Sequence, residues 1–511
     1  MNLRPAENIN FPHLIFRKYT LYFYGICGKL LTSTFLTITQ NGVFEMIEKL
    51  NLAAKPAITP VLDPDFSAAV LWDRAYKKAV SESGRSKKLI IAIERNPESV
   101  STYETVVFDN ASAEELAAAV RHVERLVKTL LWLKGGHKVT IAGDKAVADE
   151  VAKIYASGAE RDFDFRMMAK IYSAPMEVVY ADLENAPKNV EPSQPLGRHL
   201  DGCRIGFDLG GSDRKCAAVI NGEVVFTEEV TWDPYFQKDP EYHKAGINDS
   251  LKRAAAHLPR VDAIGGSSAG VYVQNRVRLA SLFRGVPEEN FESCVRDIFL
   301  DLAKDWNVPF EVVNDGEVTA LAGSMDMNAN CVLGVSMGTS MAGGYVNREG
   351  NITDWLNELA FVPVDYRCGA PADEWSGDLG CGVQYFSQQG VARLAKQAGI
   401  EFPDDMPLAV RLKEVQAMFD KGDERTRKIF ETIGVCFGCT IARYFDFYDV
   451  EKLLILGRVT SGGGGDIILA EARRVLDEIF PELTRKIEFS IPDEKGRRHG
   501  QAVAAASLPM I

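Results

Sequence analysis

Apolar residues fall into short runs separated by polar segments along this chain, and their spacing predicts alternating strands and helices between residues 46 and 185. Four of the apolar runs have the length of strands: Leu89–Ile93, Thr105–Phe108, Val139–Ala142 and Met176–Tyr180. Two longer stretches have the composition of helices: Ala113–Lys134 and Asp144–Tyr155. The order predicts a small N-terminal α/β domain, and no residue pattern in it indicates its role.

Proline, glycine and polar residues fill positions 186–201, which predicts a linker without a regular element. The strand and helix pattern resumes at residue 202. We expect a first lobe over 202–325, a second lobe over 326–498 and a C-terminal helix over 499–511 that returns to the first lobe.

Residues 1–45 differ from the rest, because aromatic and aliphatic residues are dense between positions 11 and 38. Basic residues interrupt that stretch, so it offers no uncharged run of about 18 residues to span a bilayer. It also lacks the cleavage site of a signal peptide. We expect an artefactual or disordered leader, with an amphipathic peripheral anchor as the alternative, and the choice between Met1 and Met46 as the start stays open.

Two glycine-rich turns each follow a short apolar run, an arrangement that can bring backbone N–H groups close to phosphate. The first turn follows the predicted strand Arg204–Phe207 and consists of Gly210, Gly211 and Ser212. Asp208 is then placed to hold Mg²⁺ through water, and Lys215 to add positive charge. The alternative is a hairpin turn that binds nothing.

The second turn follows the apolar run Val332–Val335 and consists of Gly338, Thr339 and Ser340. Further along, the predicted strand Leu453–Leu456 leads to Gly457, and four glycines precede the helical stretch Ile467–Ile479. Gly457, Gly462 and Gly463 could let adenine and ribose lie against the main chain, whereas a flexible glycine loop is the alternative.

Asn314 and Asp315 stand between the apolar run Phe310–Val313 and the helical stretch Glu317–Gly323. Polar residues at the carboxyl end of a strand face the cleft of an open α/β sheet. Asp315 is therefore a candidate base for a hydroxyl that attacks a γ-phosphoryl group. The alternative is a helix N-cap, a position that favours Asn and Asp.

Composition narrows the function classes. The chain has 511 residues, and 71 acidic against 58 basic residues give a formal net charge of −13. This balance disfavours binding to a nucleic-acid backbone. We expect neither a nucleic-acid nor a membrane partner, and a homodimer is left open.

Residues 202–511 resemble the ROK family (repressor, open reading frame, kinase) of the actin and hexokinase-like ATPases. Five motifs carry the resemblance in matching order: GFDLGGS at 206–212, EVVNDGEVTALAG at 311–323, GVSMGTSMAGGYV at 334–346, NEL at 357–359 and LGRVTSGGGGD at 456–466. The resemblance implies two lobes with an RNase H-like core, ATP and Mg²⁺ in the cleft, and phosphoryl transfer to a sugar hydroxyl. It leaves residues 1–201 unexplained.

Carried over by motif, the resemblance makes Asp315 the catalytic base, and Asn314 and Glu358 contacts to the acceptor hydroxyls. The chain departs from the family's E-x-G-H element, because Ala360 and Phe361 stand where glycine and histidine are usual. That histidine normally contacts both sugar and zinc, so we expect an altered acceptor pocket.

The nine cysteines form no paired framework, a usage typical of a reducing cytoplasm. Cys436 and Cys439 form a lone C-x-x-C in a predicted helix, which we interpret as buried small side chains rather than a redox or zinc site. The family's cysteine cluster is incomplete, because Cys381 and Cys368 lack the close C-x-C partner. A closed zinc site needs four ligands, so we expect no structural zinc.

These patterns predict an ATP-dependent carbohydrate kinase whose acceptor the sequence does not identify. One alternative is a sugar or nucleotide sensor that binds and hardly turns over. Another is an ATPase coupled to a protein partner, since the same fold serves both. ROK repressors carry an N-terminal helix-turn-helix, but residues 46–185 have an α/β pattern.

Overall fold

The computed structural model describes residues 50, 52, 54–191, 195–490 and 494–511, with the backbone alone for 494–499. The expectations for the leader, including the choice of start, lie outside this part of the chain. None of the helices in the described ranges is both long and apolar enough to cross a bilayer.

An N-terminal α/β unit contains a four-stranded sheet in the order β2-β1-β3-β4. Its elements are α1 (Ala69–Glu82), β1 (Ser86–Asn96), β2 (Ser99–Phe108), α2 (Ala113–Leu133), β3 (Lys138–Ala142), α3 (Lys145–Ile154), α4 (Asp162–Tyr172) and β4 (Glu177–Ala181). All six elements predicted here are present. Helix α2 begins with a capping box, in which the Ser112 hydroxyl accepts from the N–H of Glu115 and the Glu115 carboxylate from the N–H of Ser112.

The next sheet has five strands in the order β11-β8-β5-β6-β7. Its segment contains β5 (Cys203–Leu209), β6 (Asp213–Ile220), β7 (Glu223–Thr231), α5 (Pro240–Ala255), β8 (Ala263–Ser268), β9 (Val271–Val273), β10 (Arg276–Leu279), α6 (Ile298–Trp306) and β11 (Phe310–Asn314). A short helical turn, Glu288–Asn290, precedes α6. Strands β5, β8 and β11 are parallel, and β6 and β7 are antiparallel to their neighbours. Numbered within this sheet, the order is 3-2-1-4-5, as in RNase H-like folds.

A second sheet repeats this order without the third strand, as β13-β12-β14-β15. The elements that follow β11 are α7 (Asp315–Asp326), β12 (Val332–Met337), β13 (Met341–Val346), α8 (Gln388–Gln397), α9 (Leu408–Asp420), α10 (Glu424–Tyr444), β14 (Lys452–Leu456), α11 (Gly463–Ile479), the helical turn Pro481–Thr484, β15 (Glu488–Ser490) and α12 (Glu494–Ala506). Two sheets of related topology confirm the two-lobed RNase H-like fold.

Two helices join the lobes. Although the predicted first lobe extends to residue 325, helix α7 packs against β12 and β13 of the second sheet. The contact is made by backbone, since a Cβ at Gly316 would lie 2.3 Å from the carbonyl oxygen of Gly343. Helix α12 covers the first sheet, and a Cβ at Gly206 would lie 1.8 Å from the carbonyl oxygen of Ala502.

The segment predicted as a linker is fastened to the rest of the protein where it is described. Val190 exchanges backbone hydrogen bonds with Val100 of β2, both N···O distances being 2.8 Å. Further on, the N–H of Gly197 donates to the carbonyl of Leu508 at 3.1 Å. The polar composition of this segment therefore marks the absence of helix and strand rather than freedom from contacts.

Candidate active site

Asp208, Asn314 and Asp315 lie at one edge of the first sheet because their strands are parallel. Asp208 pairs with Ser267 of the central strand β8, and Asn314 pairs with Ser268 from the other side. With strands about 4.8 Å apart, the two outer positions are separated by roughly 10 Å. This edge is where open α/β sheets place ligands.

The first glycine turn connects β5 to β6. The N–H of Gly210 donates to the carbonyl of Asp213 at 2.9 Å, and the indole of Trp232 donates to the carbonyl of Gly210 at 2.8 Å. Within the described residues, nothing accepts from the N–H groups of Gly211 and Ser212. The turn is therefore rigid and still presents two donors.

The second turn has the same design. The N–H of Gly338 donates to the carbonyl of Ser340 at 2.9 Å, whereas the N–H groups of Thr339 and Ser340 have no acceptor among the described residues. Both hydroxyl residues are exposed. Gly457 lies beside this turn, because a Cβ there, at a φ of 104°, would meet the carbonyl oxygen of Met337 at 2.3 Å. Only glycine fits that position.

The four-glycine run does not form a loop. Helix α11 begins at Gly463, directly after Gly462, which has a φ of 73°. A Cβ at Gly465 would lie 2.0 Å from the carbonyl oxygen of Thr460, so the first helical turn is packed on backbone. The loop alternative was wrong, and three of the four glycines instead form the start of a helix, whose N-terminus favours anions.

Asp315 is the first residue of α7 and is half-buried. Burial and, secondarily, the negative charge of Asp208 together raise the pKa of its carboxyl from 3.8 to about 6. The two carboxylates are therefore close enough for their charges to interact. A carboxyl that ionises near pH 6 is deprotonated at neutral pH and is a stronger base than an ordinary aspartate.

Asn314 is the N-cap of α7, so the alternative interpretation applies to this residue. Its side-chain oxygen accepts from the N–H of Gly316 at 2.7 Å, and its amide donates to the carbonyl of Gly270 at 2.6 Å. One amide hydrogen and one lone pair remain for a ligand. The cap positions Asp315 and does not compete with a catalytic role for it.

Asp208 and Lys215 form an ion pair, with Nζ and Oδ2 3.5 Å apart. Lys215 makes a closer contact to Asp213, at 2.9 Å. Burial raises the pKa of Asp208 above its ordinary value, and Ser267 and then Lys215 partly offset this rise. Lys215 therefore pairs more closely with Asp213 and neutralises the charge of Asp208 only in part.

Glu358 lies near Asp315. Burial, followed by the charge of Asp315, raises the pKa of Glu358 from 4.5 to about 7. No hydrogen bond from the described residues reaches its carboxylate, which leaves it available to a ligand. The neighbouring Asn357 has a φ of 51° and is buried.

Glu317 was not predicted as part of the site. It lies in the first turn of α7 at 4% exposure and accepts hydrogen bonds from the amide of Asn357 and, at 3.3 Å, from the N–H of Tyr345. The hydroxyl of Tyr448 donates to Asn357 at 2.6 Å. Glu317 thus connects the helix of Asp315 to the segment of Glu358.

We expect Glu317 to make stability decrease as the pH rises. Burial raises the pKa of its carboxyl from 4.5 to about 8, so the unfolded chain loses this proton well before the folded chain does. Over that range the free energy of unfolding falls, by at most about 1.4 kcal/mol per pH unit from this group. Thermal melting of Glu317→Gln between pH 5 and 8 should show a flatter dependence than wild type. Glu292→Gln, an exposed control, should keep the wild-type slope, and an unchanged slope in Glu317→Gln would refute the assignment.

Phe361, which stands where the family has histidine, contacts the N-terminal unit instead of the cleft carboxylates. Its ring centroid lies 4.2 Å from that of Trp132 and 5.5 Å from that of Phe163. Cys381 is buried beside Asp378, close to the cations Lys128 and Arg125. Within the described residues there is no group of three His, Cys, Asp or Glu side chains that could hold a metal ion.

Tyr235 and Arg284 adjoin the first turn and were also not predicted. A Cβ at Gly211 would meet the hydroxyl of Tyr235 at 2.0 Å, and the guanidinium of Arg284 lies 3.9 Å from the centroid of the Tyr235 ring. Buried His243 holds the two segments together, because its Nε2 lies 3.0 Å from the carbonyl of Pro234 and 3.1 Å from that of Leu282. Because Tyr235 and Arg284 are far apart along the chain, no local sequence pattern indicates that they meet.

No family model and no curated protein sequence matches this chain. Solved structures similar to it include a ROK hexokinase from Thermus thermophilus, at 19% identity, covering 59% of this chain and 97% of that chain with a TM-score of 0.47. A ROK family glucokinase from Streptomyces griseus, in complex with glucose and AMPPNP, has 21% identity, covers 60% and 99% of the two chains, and gives a TM-score of 0.45.

A ROK family transcriptional regulator, homolog of the E. coli MLC protein, is also similar, at 17% identity, 60% and 79% coverage and a TM-score of 0.49. The similar structures thus include both sugar kinases and a regulator. At these identities and TM-scores the likeness assigns no activity to this chain.

Proposed function

We propose that this protein transfers the γ-phosphoryl group of ATP to a hydroxyl group of a carbohydrate or carbohydrate-like acceptor, with Asp315 as general base. The observation that carries the proposal is the convergence of Asp315 and Asp208 at one sheet edge. Asp208 directly precedes the turn that presents the free N–H groups of Gly211 and Ser212. The motif resemblance to ROK kinases points to the same chemistry.

In the proposed step, the acceptor oxygen attacks the γ-phosphorus, its proton passes to the Asp315 carboxylate, and the bond to the β-phosphate oxygen breaks to release ADP. Free N–H groups at both glycine turns are suited to phosphate oxygens. Glu358 and the remaining amide hydrogen of Asn314 are proposed to orient the acceptor. Gly457, Gly462 and Gly463 are proposed to receive the nucleoside.

Asp208 fits a role toward magnesium. Its carboxylate is mostly buried, is only partly neutralised by Lys215 and is close enough to Asp315 for their charges to interact. Mg²⁺ prefers oxygen ligands and retains several waters, so we propose that Asp208 holds it through water. When bound, the cation would offset negative charge on the phosphates.

The proposal is tested by ADP release, measured with Mg·ATP across a panel of hexoses, N-acetylhexosamines and polyols. We expect at least one acceptor to raise the rate clearly above that of ATP alone. Silence across the panel, with ATP still bound, would exclude the kinase and favour a sensor. ADP release that no acceptor changes would favour a partner-coupled ATPase.

One observation favours the sensor as the second candidate. The hydroxyl of Tyr235 lies against Gly211, where a phosphate would approach the first turn. A protein that binds sugar or nucleotide with little turnover would be stabilised by the ligand without releasing ADP. We propose a cytoplasmic setting for either function, since the eight cysteines of the described part are free.

A further inference from the structure

The segment that carries Glu358 is hydrogen-bonded to the C-terminal end of a helix in the N-terminal unit. The N–H of Glu358 donates to the carbonyl of Trp132 at 2.9 Å, and the N–H of Asn357 donates to the carbonyl of Leu133 at 3.0 Å. Both carbonyls belong to the last turn of α2, where a helix has no partners of its own. The segment that carries Glu358 therefore supplies hydrogen-bond donors to carbonyl groups that have no partner within helix α2.

Aromatic packing adds a second contact at the same place. Phe361 lies three residues after Glu358 and packs on Trp132, which is 1% exposed, and on Phe163 of α4. The Trp132 and Phe163 rings are themselves 6.0 Å apart. A histidine here could not make the same apolar contact without burying a polar ring nitrogen.

A buried ionic cluster holds these aromatic residues in place. The indole of Trp132 donates to Asp164 at 2.6 Å, and Lys128 of α2 contacts Asp164 at 3.0 Å and Asp378 at 3.1 Å. The cluster balances three cations with three carboxylates, all less than 10% exposed: Arg125, Lys128, Arg161, Glu124, Asp164 and Asp378.

Asp378 links the cluster to the second-lobe segment that contains Cys381. Arg161 contacts its Oδ1 at 2.6 Å, and Arg125 contacts its Oδ2 at 3.1 Å. Although burial raises the pKa of Asp378, Arg125 and Lys128 hold it below the ordinary value, so this carboxylate stays charged. Paired charges thus connect the N-terminal unit to the Cys381 end of the stretch from Glu358 to Cys381, and backbone hydrogen bonds connect it to the Glu358 end.

We propose that the N-terminal α/β unit is a built-in positioning element for Glu358, with Trp132 and Phe361 as the positioning residues. The inference rests on the proposed function in one respect, that Glu358 contacts the acceptor. It gives a role to the domain for which the sequence offered none. The unit acts on acceptor binding through the backbone of Asn357 and Glu358, and no hydrogen bond between the described residues joins it to either glycine turn.

Phe361→Ala tests the proposal, because it removes the aromatic contact and leaves Glu358 intact. We expect the acceptor KM to rise by about tenfold or more, while the KM for ATP stays near the wild-type value. The acceptor-KM profile of wild type should inflect near pH 7, the pKa of buried Glu358. In the variant this inflection should move toward the ordinary glutamate range. Phe361→Leu, which refills most of the space, should restore most of the affinity.

Phe437→Ala is the matched control, since Phe437 is buried in α10 and its ring packs on that of Phe386. It should reduce stability without the change in acceptor KM or pH profile. If Phe361→Ala does not fold, Trp132→Phe replaces it. That variant keeps the ring contact but loses the hydrogen bond to Asp164, and we expect a smaller change in the same direction.

Hydrogen–deuterium exchange at the amides of Asn357 and Glu358 separates this inference from the proposed function. Exchange should be slow in wild type, at least about tenfold faster in Phe361→Ala and unchanged in Phe437→Ala. An inactive wild type with this exchange pattern would remove the kinase proposal and keep the coupling of the two segments. Wild-type exchange and acceptor KM in a folded Phe361→Ala would overturn the inference.

Discussion

Asp315→Asn is expected to lower kcat by about 10²–10⁴-fold, the usual contribution of a general base. Asparagine has nearly the same shape and can still accept the hydrogen bond from Gly316, but it cannot take a proton from the acceptor. The measurement is coupled ADP release with the best acceptor, beside ATP binding by calorimetry. Nucleotide affinity should stay close to wild type, because no hydrogen bond between the described residues joins Asp315 to either glycine turn.

Asp326→Asn supplies the control on the same helix, because Asp326 is the exposed last residue of α7. It should turn over at the wild-type rate. The wild-type rate should also decrease below about pH 6, where Asp315 becomes protonated. Near-normal turnover of Asp315→Asn would remove this residue from the proposed chemistry.

Gly206→Ala and Gly265→Ala are expected to give the largest losses of stability, about 3 kcal/mol each or failure to fold. A Cβ at Gly206 would lie 1.8 Å from the carbonyl oxygen of Ala502, and one at Gly265 would lie 1.7 Å from that of Ala505. Either methyl group would force α12 away from the first sheet. Thermal melting gives the loss directly.

Gly369→Ala is the matched control, since nothing lies within 4 Å of a Cβ at that position. Its melting temperature should be that of wild type. A chain ending at Arg498 tests the same interface from the other side, because it removes the buried residues from Ala502 to Leu508. An unchanged melting temperature in that chain would show that α12 is dispensable.

The strands around the candidate site were predictable because each is an apolar run closed by a turn residue. Arg204–Phe207 and Phe310–Val313 proved to lie within β5 and β11, and the parallel pairing of both strands with β8 then places their following residues at a common edge. A local residue pattern is enough to predict these strands because a buried strand needs only a short uninterrupted run of apolar residues. The convergence of Asp208 and Asp315 follows from that pairing.

Contacts between distant segments could not be predicted in this way. Glu358 and Trp132 are more than two hundred positions apart, and their hydrogen bond uses only backbone atoms, which no residue type encodes. The glycines at the start of α11 were misread for a related reason. Their low helix propensity is outweighed by close packing on Thr460 and Phe430, which excludes any side chain.

Asp315 lies between one element of each lobe. Strand β11 of the first sheet ends immediately before it, and helix α7, which it begins, packs on β13 through Gly316 and Gly344. If the lobes rotate about this junction, each group is displaced in proportion to its distance from the rotation axis. The two glycine turns lie in different lobes, whereas the candidate base Asp315 lies at the junction between them. Opening and closing would then change which phosphate groups are held and leave the proton acceptor almost stationary.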